Sequence, residues 1–337
     1  MKRLSIIIAY MLLSLTAVAG AFSLMALTSS TAYAHDKPAA VDVSSDDDSD
    51  DPDSDDRSSE SRSINESRQV KADAEVRIDN LAGTVKVQGW DKNEVRVSGT
   101  LGAEVEKLQI EGGETSLDIK VVLPHHSHGD EDCSTCADLQ IQVPKGSRIE
   151  VSTVSADVEA AGLTGQVQFG TVSGNATVNS SASRISMRTV SGDVTVVGSA
   201  KGAGIDVNSV SGTMRVSDVD GSVDAENVSG DTKVVSRHLA NLKLSATSGN
   251  LTFEGVPLKG GNYDINNVSG DVVLAVGSSP DARFDVSSFS GDIDNSFGPK
   301  PTRVSKYSPG MELHFTSGNA GATVVARTLS GDVHLQN

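Results

Sequence analysis

The sequence predicts an all-β protein, a parallel β-solenoid whose coils are about 18 to 21 residues long. Three observations support this fold class: a recurring Ser-Gly turn, apolar residues at alternate positions around that turn, and an unusual composition. The 337 residues include 32 glycines, and only 4% of them are aromatic. Such a chain has to bury Val, Ile and Leu in a narrow core, which is typical of thin, repetitive β-architecture.

The Ser-Gly turn sets the period of the repeat. Neighbouring turns are about 18 to 21 residues apart, and the last interval is about twice as long. A fixed period near this length is typical of solenoids. The turn serines are Ser155, Ser173, Ser191, Ser211, Ser229, Ser248, Ser269, Ser290 and Ser330.

Strands flank each turn. Ile185 and Met187 enclose Ser186 before one turn, and Val194 and Val196 enclose Thr195 after it. Alternation of this kind places one face of a strand in the core and the other in water. A single coil cannot bury its apolar face alone, so the coils are expected to stack into one continuous core.

The turn itself is predicted to be structural. Glycine reaches positive φ without strain, and serine can bond nearby backbone at a turn. The residues assigned this role are Ser173, Gly174, Ser191, Gly192, Asp193, Ser211, Gly212, Ser229, Gly230, Asp231, Ser269, Gly270, Asp271, Ser290, Gly291, Asp292, Ser330, Gly331 and Asp332.

The aspartates of successive turns should form a column of like charges, which is unfavourable at close range. Asn175, Thr213 and Asn250 interrupt that column and relieve the repulsion. A column of carboxylates could instead hold Ca²⁺, which takes several oxygen ligands. Because the sequence lacks the nine-residue Gly-Gly-x-Gly-x-Asp calcium repeat, turn chemistry is the favoured interpretation.

An apolar residue directly before each turn serine breaks the alternation. We expect the corner to rotate these side chains into the core, because a long exposed apolar ridge invites aggregation. The alternative is that the ridge is exposed and serves as a contact surface. Its members are Val172, Val190, Val210, Val228, Val268, Phe289 and Leu329.

The N-terminus resembles a secretory signal peptide over residues 1–34. Positive charge at Lys2 and Arg3 precedes an apolar run over residues 4–27, and Ala32-Tyr33-Ala34 suits signal peptidase. Cleavage would leave His35 first and export the chain to the periplasm or cell surface. Uncut, the run could anchor the protein in a membrane.

Residues 35–68 are predicted to be a disordered acidic tether. The block at residues 46–56 reads DDDSDDPDSDD, and such segments have almost nothing apolar to bury. The formal net charge of −17 argues against nucleic acid as a partner, since nucleic-acid binding needs clustered cations.

The folded part is predicted to have two regions. Residues 69–144 should be an irregular β cap or first coils, with Trp90 covering the open end of the core. Residues 145–337 should be the solenoid repeats. An excursion at residues 296–318 interrupts the period and is interpreted as a protruding loop or hairpin, suited to a specific contact.

A loop within the cap carries the densest chemistry. It holds the candidate metal ligands His125, His126, His128, Asp130, Asp132, Cys133 and Cys136, together with Glu131. Thiolate and imidazole are ligands for zinc or copper, but a disulfide between Cys133 and Cys136 is favoured in an oxidising compartment. Redox catalysis is a third option, without the βαβ context that it usually needs. No other cofactor is expected.

The stretches AEVRIDNLAGTVKVQGWDKNEVRVSG and ADLQIQVP, with the repeated VSGDV units, resemble the bacterial "putative adhesin" family of unknown function. The resemblance covers residues 69–337 and implies a head-GIN-related β-solenoid with a role in envelope interactions. It implies no catalytic residues. The His/Cys loop and the acidic tether depart from the family pattern.

Three functional hypotheses follow. The favoured one is an exported, non-catalytic envelope binding or scaffold module, whose partner is an envelope protein or a glycan. The alternatives are a polysaccharide-active β-helix enzyme and a periplasmic metal-binding protein using the His/Asp/Cys loop. An enzyme of the first kind needs placed carboxylates in a cleft, whereas the aspartates here recur in nearly every coil, as structural residues do.

Overall fold

Short strands separated by tight corners make up the described part of the chain. The computed structural model describes residues 61–124, 134–306 and 309–337, which lie in one unit, Arg57–Asn337. No helix long and apolar enough to cross a membrane occurs among these residues. The strands are β1 (Arg62–Gln69), β2 (Glu75–Trp90), β3 (Glu94–Leu101), β4 (Lys107–Gly112), β5 (Ser116–Val122), β6 (Ala137–Pro144), β7 (Arg148–Ala161), β8 (Val167–Ser173), β9 (Ala176–Ser180), β10 (Arg184–Ser191), β11 (Val194–Gly198), β12 (Lys201–Ser211), β13 (Met214–Ser217), β14 (Asp220–Ser229), β15 (Thr232–Val235), β16 (His238–Ser248), β17 (Leu251–Glu254), β18 (Asn262–Ser269), β19 (Val272–Ala275), β20 (Ala282–Ser290), β21 (Ile293–Asn295), β22 (Thr302–Arg303), β23 (Met311–Ser317), β24 (Ala322–Ser330) and β25 (Val333–Gln336).

Each coil contributes one strand to each of two parallel strips that enclose the core. Strip A runs through β8, β10, β12, β14, β16 and β18, and strip B through β9, β11, β13, β15, β17 and β19. Ile185 pairs with Val167 and Ile205 in strip A, and Val194 pairs with Ala176 and Met214 in strip B. The predicted parallel β-solenoid is confirmed.

The order of coils in space departs from the order in sequence at the N-terminal end. Strand β2 continues through the corner and pairs with β7 along one side. On its other side it pairs with β5 before the corner and with β6 after it. Val76, for example, pairs with Ile149 of β7 on one side and with Leu117 of β5 on the other. Antiparallel β4 covers β5, and β3 followed by β1 covers β6, so the outer strands close this end.

Strand β1 also moves a predicted boundary. It begins at Arg62, so the last seven residues of the predicted 35–68 tether belong to a strand rather than to a disordered segment. Its pairing with β3 supplies the backbone partners, because eight consecutive residues of the two strands are in register. The weak apolar pattern of RSINESRQ hid this strand, since only Ile64 packs against the core.

The last coil is likewise out of order. Strand β24 lies between β18 and β20, so that Ala326 pairs with both Ile265 and Val286. Strand β25 lies between β19 and β21 in the same way. The excursion predicted at residues 296–318 contains β22 and β23, and β23 covers β20 antiparallel.

Aliphatic side chains fill most of the core, and aromatic ones gather near its C-terminal end. Phe253 and Tyr263 are buried with ring centroids 5.4 Å apart, and Phe284 stacks on Phe315 at 4.8 Å. The Tyr263 hydroxyl donates to the Leu239 carbonyl at 2.5 Å, and burial raises the pKa of this phenol. Its polar tip is thus satisfied inside an apolar interior.

Candidate functional site

The aspartate position of the repeat is engaged in joining neighbouring coils. The Asp193 carboxylate accepts the Thr213 backbone N–H at 2.8 Å, and the Asp193 N–H donates to the Asn175 side chain at 3.1 Å. The side chain thereby satisfies a backbone donor at the corner. The same link joins Asp157 to Asn175, Asp231 to Asn250, Asn250 to Asp271, Asp271 to Asp332, and Asp332 to Asp292.

The glycine position is a close approach between coils. Gly192 and Gly212 have φ of 124° and 125°. A Cβ on Gly212 would lie 2.2 Å from the Gly192 carbonyl oxygen, a distance no real contact tolerates. Only glycine therefore combines this φ with this spacing.

The serine position does not bond in the way the sequence suggests. In the described residues the turn serines show no side-chain hydrogen bond, and in six of the nine coils the polar residue two places earlier bonds a corner carbonyl instead; the hydroxyls of Thr153 and Thr328 have no partner, and Ala246 has no polar group. Thr171 Oγ1 donates to the Ser173 carbonyl at 3.0 Å, and Thr189 and Ser209 repeat the contact in the next two coils. Asn227 donates to the carbonyls of both Gly212 and Gly230.

The apolar ridge faces outward, which corrects the expectation that the corner tucks it into the core. Thr171 is 5% exposed, whereas its neighbour Val172 is 36% exposed and Phe289 45%. The strand alternation continues up to the corner, so the small residue before each ridge residue faces the core; in most coils its hydroxyl or amide bonds a corner carbonyl there. In space the ridge begins beside Val154 and runs through Val172, Val190, Val210, Val228, Val268, Leu329 and Phe289, with the polar Thr247 interrupting it between Val228 and Val268.

Most of the predicted His/Asp/Cys metal loop lies outside the described residues: His125, His126, His128, Asp130, Asp132 and Cys133. Cys136 is described; it is disulfide-bonded, and its carbonyl accepts the Gly102 N–H at 2.7 Å. In the described ranges no three His, Cys, Asp or Glu side chains gather as metal ligands would. Zinc or copper binding by this loop stays a prediction.

A polar groove of about 630 Å³ lies on the outer face of the cap. Five adjacent strands form its floor in the order β1, β3, β6, β2 and β7. Strand alternation points the apolar partners inward and a grid of polar side chains outward. One row is Asn65, Ser98, Gln140, Lys86 and Glu159; the next is Arg96, Gln142, Gln88 and Ala161.

The groove combines uncommitted amides with two cations. Lys86 lies 3.3 Å from Glu159, and Arg96 lies 3.9 Å from Glu94. Within the described part of the chain, the side-chain amides of Gln140 and Gln142 have no protein partner. Each such amide offers two donors and an acceptor to a ligand.

Trp90 borders this groove instead of covering the open end of the core, as the sequence had suggested. Its indole N–H donates to the Glu94 carbonyl at 2.7 Å. Lys92 and Arg96 lie 4.8 Å and 5.7 Å from the ring centroid, within cation–π range. The parity of β2 explains the position, because Trp90 continues the outward series of Lys86 and Gln88.

A second charged cluster lies on the outer face of strip A. The Lys243 ammonium contacts both Asp224 oxygens at 3.2 Å and Glu226 at 2.6 Å. Desolvation raises the pKa of the Asp224 carboxyl above its ordinary value, and Lys243 partly opposes the shift. The Lys243 ion pairs therefore offset only part of the cost of desolvating the Asp224 carboxylate.

The groove residues were missed at the sequence level. Alternation does mark Lys86, Gln88, Gln140 and Gln142 as outward-facing. Their proximity depends on β6 pairing with β2 across about fifty residues, a contact that no local pattern reveals.

The fold and these surfaces define a β-solenoid with ligand-accessible outer faces and a structural repeat. The chain belongs to the Toastrack DUF4097 family, whose model matches residues 74–256. No curated protein matches it.

Three solved structures are similar to the chain. A putative cell adhesion protein from Clostridium sporogenes is 8% identical, with 82% of this chain and 99% of that chain covered and a TM-score of 0.24. A putative adhesin from Parabacteroides distasonis is 10% identical, covering 81% and 97%, with a TM-score of 0.35. One from Parabacteroides merdae is 11% identical, covering 82% and 97%, with a TM-score of 0.28. These superpositions are loose, and the family assignment rests on the family model.

Proposed function

We propose that this protein is an exported, non-catalytic, adhesin-like binding module of the cell envelope, and that its groove binds a polysaccharide. The observation that carries the proposal is the grid of outward polar side chains across five strands. Gln140 and Gln142 present amides without a protein partner, beside the cations Lys86 and Arg96.

The chemistry of the groove suits a chain of hydroxylated, acidic sugars. Side-chain amides donate and accept, so they can engage neighbouring hydroxyls on one sugar ring. Lys86 and Arg96 can neutralise ligand carboxylates. Within each row, successive side chains lie on neighbouring strands about 4.8 Å apart. This regular spacing suits an extended ligand better than a compact one.

The content of the groove favours binding over turnover. Glycoside hydrolysis usually needs two carboxylates at a defined separation. Glu159 is the one carboxylate among the residues lining this groove, and it is paired with Lys86. A polysaccharide-active enzyme would need a second acidic group brought to the same place.

Export is part of the proposal and rests on the N-terminal pattern. Lys2, Arg3, the apolar run and Ala32-Tyr33-Ala34 form the order that signal peptidase substrates show. Intact-mass measurement of protein recovered from the envelope fraction should give a chain that starts at His35. A full-length chain that stays in the membrane fraction would support the anchored alternative.

The binding proposal is tested on a glycan array with wild-type protein and the variants Gln140→Ala and Arg96→Ala. Both variants should lose signal on acidic glycans, because each removes groove chemistry without touching the core. Gln168→Ala is the matched control: it removes an exposed glutamine from β8, on the outer face of strip A.

Two results would overturn the proposal. Equal glycan signal from the wild type and both groove variants would exclude the groove as the site. Release of reducing sugar during incubation with a bound glycan would make the protein an enzyme.

A further inference from the structure

The last coil of the chain fills a slot between two coils that precede it in sequence. Strands β24 and β25 separate β18 and β19 from β20 and β21. The outer coil, β20 and β21, therefore comes first along the sequence. The chain then returns through β22 and β23, and β24 and β25 fill the space between the outer coil and β18 and β19. The final residues are bonded on both sides.

Both walls of this slot bind the last coil through contacts common to the repeat. The Gly270 N–H donates to the Ser330 carbonyl at 3.0 Å, and the Gly331 N–H donates to the Ser290 carbonyl at 3.1 Å. The Asp271 and Asp332 carboxylates complete the corner links on either side. Backbone and corner contacts of this kind are the same whether the coil comes from the same chain or from another copy.

The segment that leads into the slot is a tight crossover held by one carboxylate. It runs from Gly318 to Gly321 and passes from the outer side of β20 to its inner side. Asp281 accepts the backbone N–H groups of Asn319 at 2.6 Å and Gly321 at 3.1 Å. Ala320 has a φ of 56°, a left-handed conformation that costs energy for a residue with a Cβ.

We propose that the segment Ala322–Gln336 is an exchangeable coil, through which two copies of this chain join by each filling the slot of the other. Exchange reproduces every contact inside the slot, so it requires little beyond the association itself. Extending the crossover releases the strain at Ala320, and short strained crossovers favour exchange. The inference goes beyond glycan binding, since it yields a two-headed assembly with a groove on each copy.

The test co-expresses two differently tagged full-length chains, one with Ser287→Cys and the other with Arg327→Cys. These residues are Cα partners on β20 and β24, so a disulfide between the two tagged chains is favoured when the coil of one chain occupies the slot of the other. The expected result is a heterodimer on a non-reducing gel that disappears on reduction. Ala320→Gly in both chains should lower the heterodimer fraction, because glycine removes the strain that favours exchange.

The matched control replaces Ser287→Cys by Ser245→Cys. Ser245 lies in the same outward row on β16, two strands away from β24. The control chain contains the same two native cysteines as the test chain. Heterodimer only in the Ser287 pairing supports the exchange. Monomer alone, or equal heterodimer in both pairings, overturns it.

Discussion

At the scale of the residue, three positions around each corner decide how coils stack. The corner glycine permits close backbone approach, and the aspartate position supplies an acceptor to the next coil. In most coils the small residue two places before the turn serine bonds a corner carbonyl. The glycine and aspartate positions have fixed steric and hydrogen-bonding requirements. The motif recurs because every pair of stacked coils makes the same contacts at the corner.

Replacing a corner glycine tests the steric requirement. Gly212→Ala should lower the free energy of unfolding by about 2–4 kcal/mol, because the methyl meets the Gly192 carbonyl at an unfavourable φ. Gly170→Ala is the control, since a Cβ there meets nothing within 4 Å. Urea unfolding followed by circular dichroism measures both, and equal stability of the two variants would contradict the steric account.

Changing an aspartate of the repeat tests the hydrogen-bonding requirement. Asp231→Ala should cost about 1 kcal/mol, because the Asn250 N–H loses its acceptor. Asp231→Asn should be close to neutral, since an amide oxygen can accept the same bond, as Asn250 does from Asp271. The comparison is made by urea unfolding at constant salt. An equal loss in the Asn and Ala variants would show that the charge, which both variants remove, matters and the acceptor does not.

At the scale of the element, parallel pairing in register places like residues in rows across strips A and B. Asp206, Asp224 and Lys243 are successive Cα partners on β12, β14 and β16. Two carboxylates and an ammonium are thus held within one row by the backbone ladder. Desolvation of Asp224 within this row, more than the charges of its neighbours, raises the pKa of its carboxyl above that of an isolated surface aspartate.

The raised pKa of Asp224 predicts a pH effect with a definite sign. A folded-state pKa above the ordinary 3.8 means that the folded state binds this proton more tightly than the unfolded state. Stability from this group is therefore full below about pH 3.8 and is lost as pH rises through the folded pKa. The free energy of unfolding of Asp224→Asn, relative to wild type, should increase from acidic to neutral pH.

The measurement is urea unfolding of both proteins across the acidic range. Lys243→Met provides a second check by NMR, because Lys243 lowers the pKa of Asp224 and its removal should raise that pKa further. A pH-independent difference between wild type and Asp224→Asn would refute the assignment.

At the scale of the whole molecule, the column of turn aspartates raises the question of calcium. Along most of the stack these carboxylates alternate with Asn175, Thr213 and Asn250, and Asp193, Asp231 and Asp271 each use an oxygen to accept a neighbouring N–H. Calcium needs six to eight oxygens around one point. Millimolar calcium should therefore leave the melting temperature unchanged. An upward shift that is reversed by a chelator would show that the carboxylates converge on a metal.

The sequence predicts much of the fold, because its signals are local. A period near twenty, alternation around each turn and glycine at the corner identify a parallel solenoid, since these patterns depend only on neighbours along the chain. Interpretation was weaker where two local rules compete. The ridge at Val172 was expected inside because it is apolar, yet strand parity keeps it outside and Thr171 within.

The sequence by itself determined the coil: its length, its corner, and the inward face of the strands away from the corner. The tertiary structure alone decided the order of coils, the insertion of β24 and β25 between earlier strands, and the polar groove across β1, β3, β6, β2 and β7. The physical reason is that every coil presents almost the same edge to its neighbours. Local preferences of the chain therefore do not decide which coils become neighbours. The order of coils is set by pairings between strands far apart in sequence at the two ends of the stack.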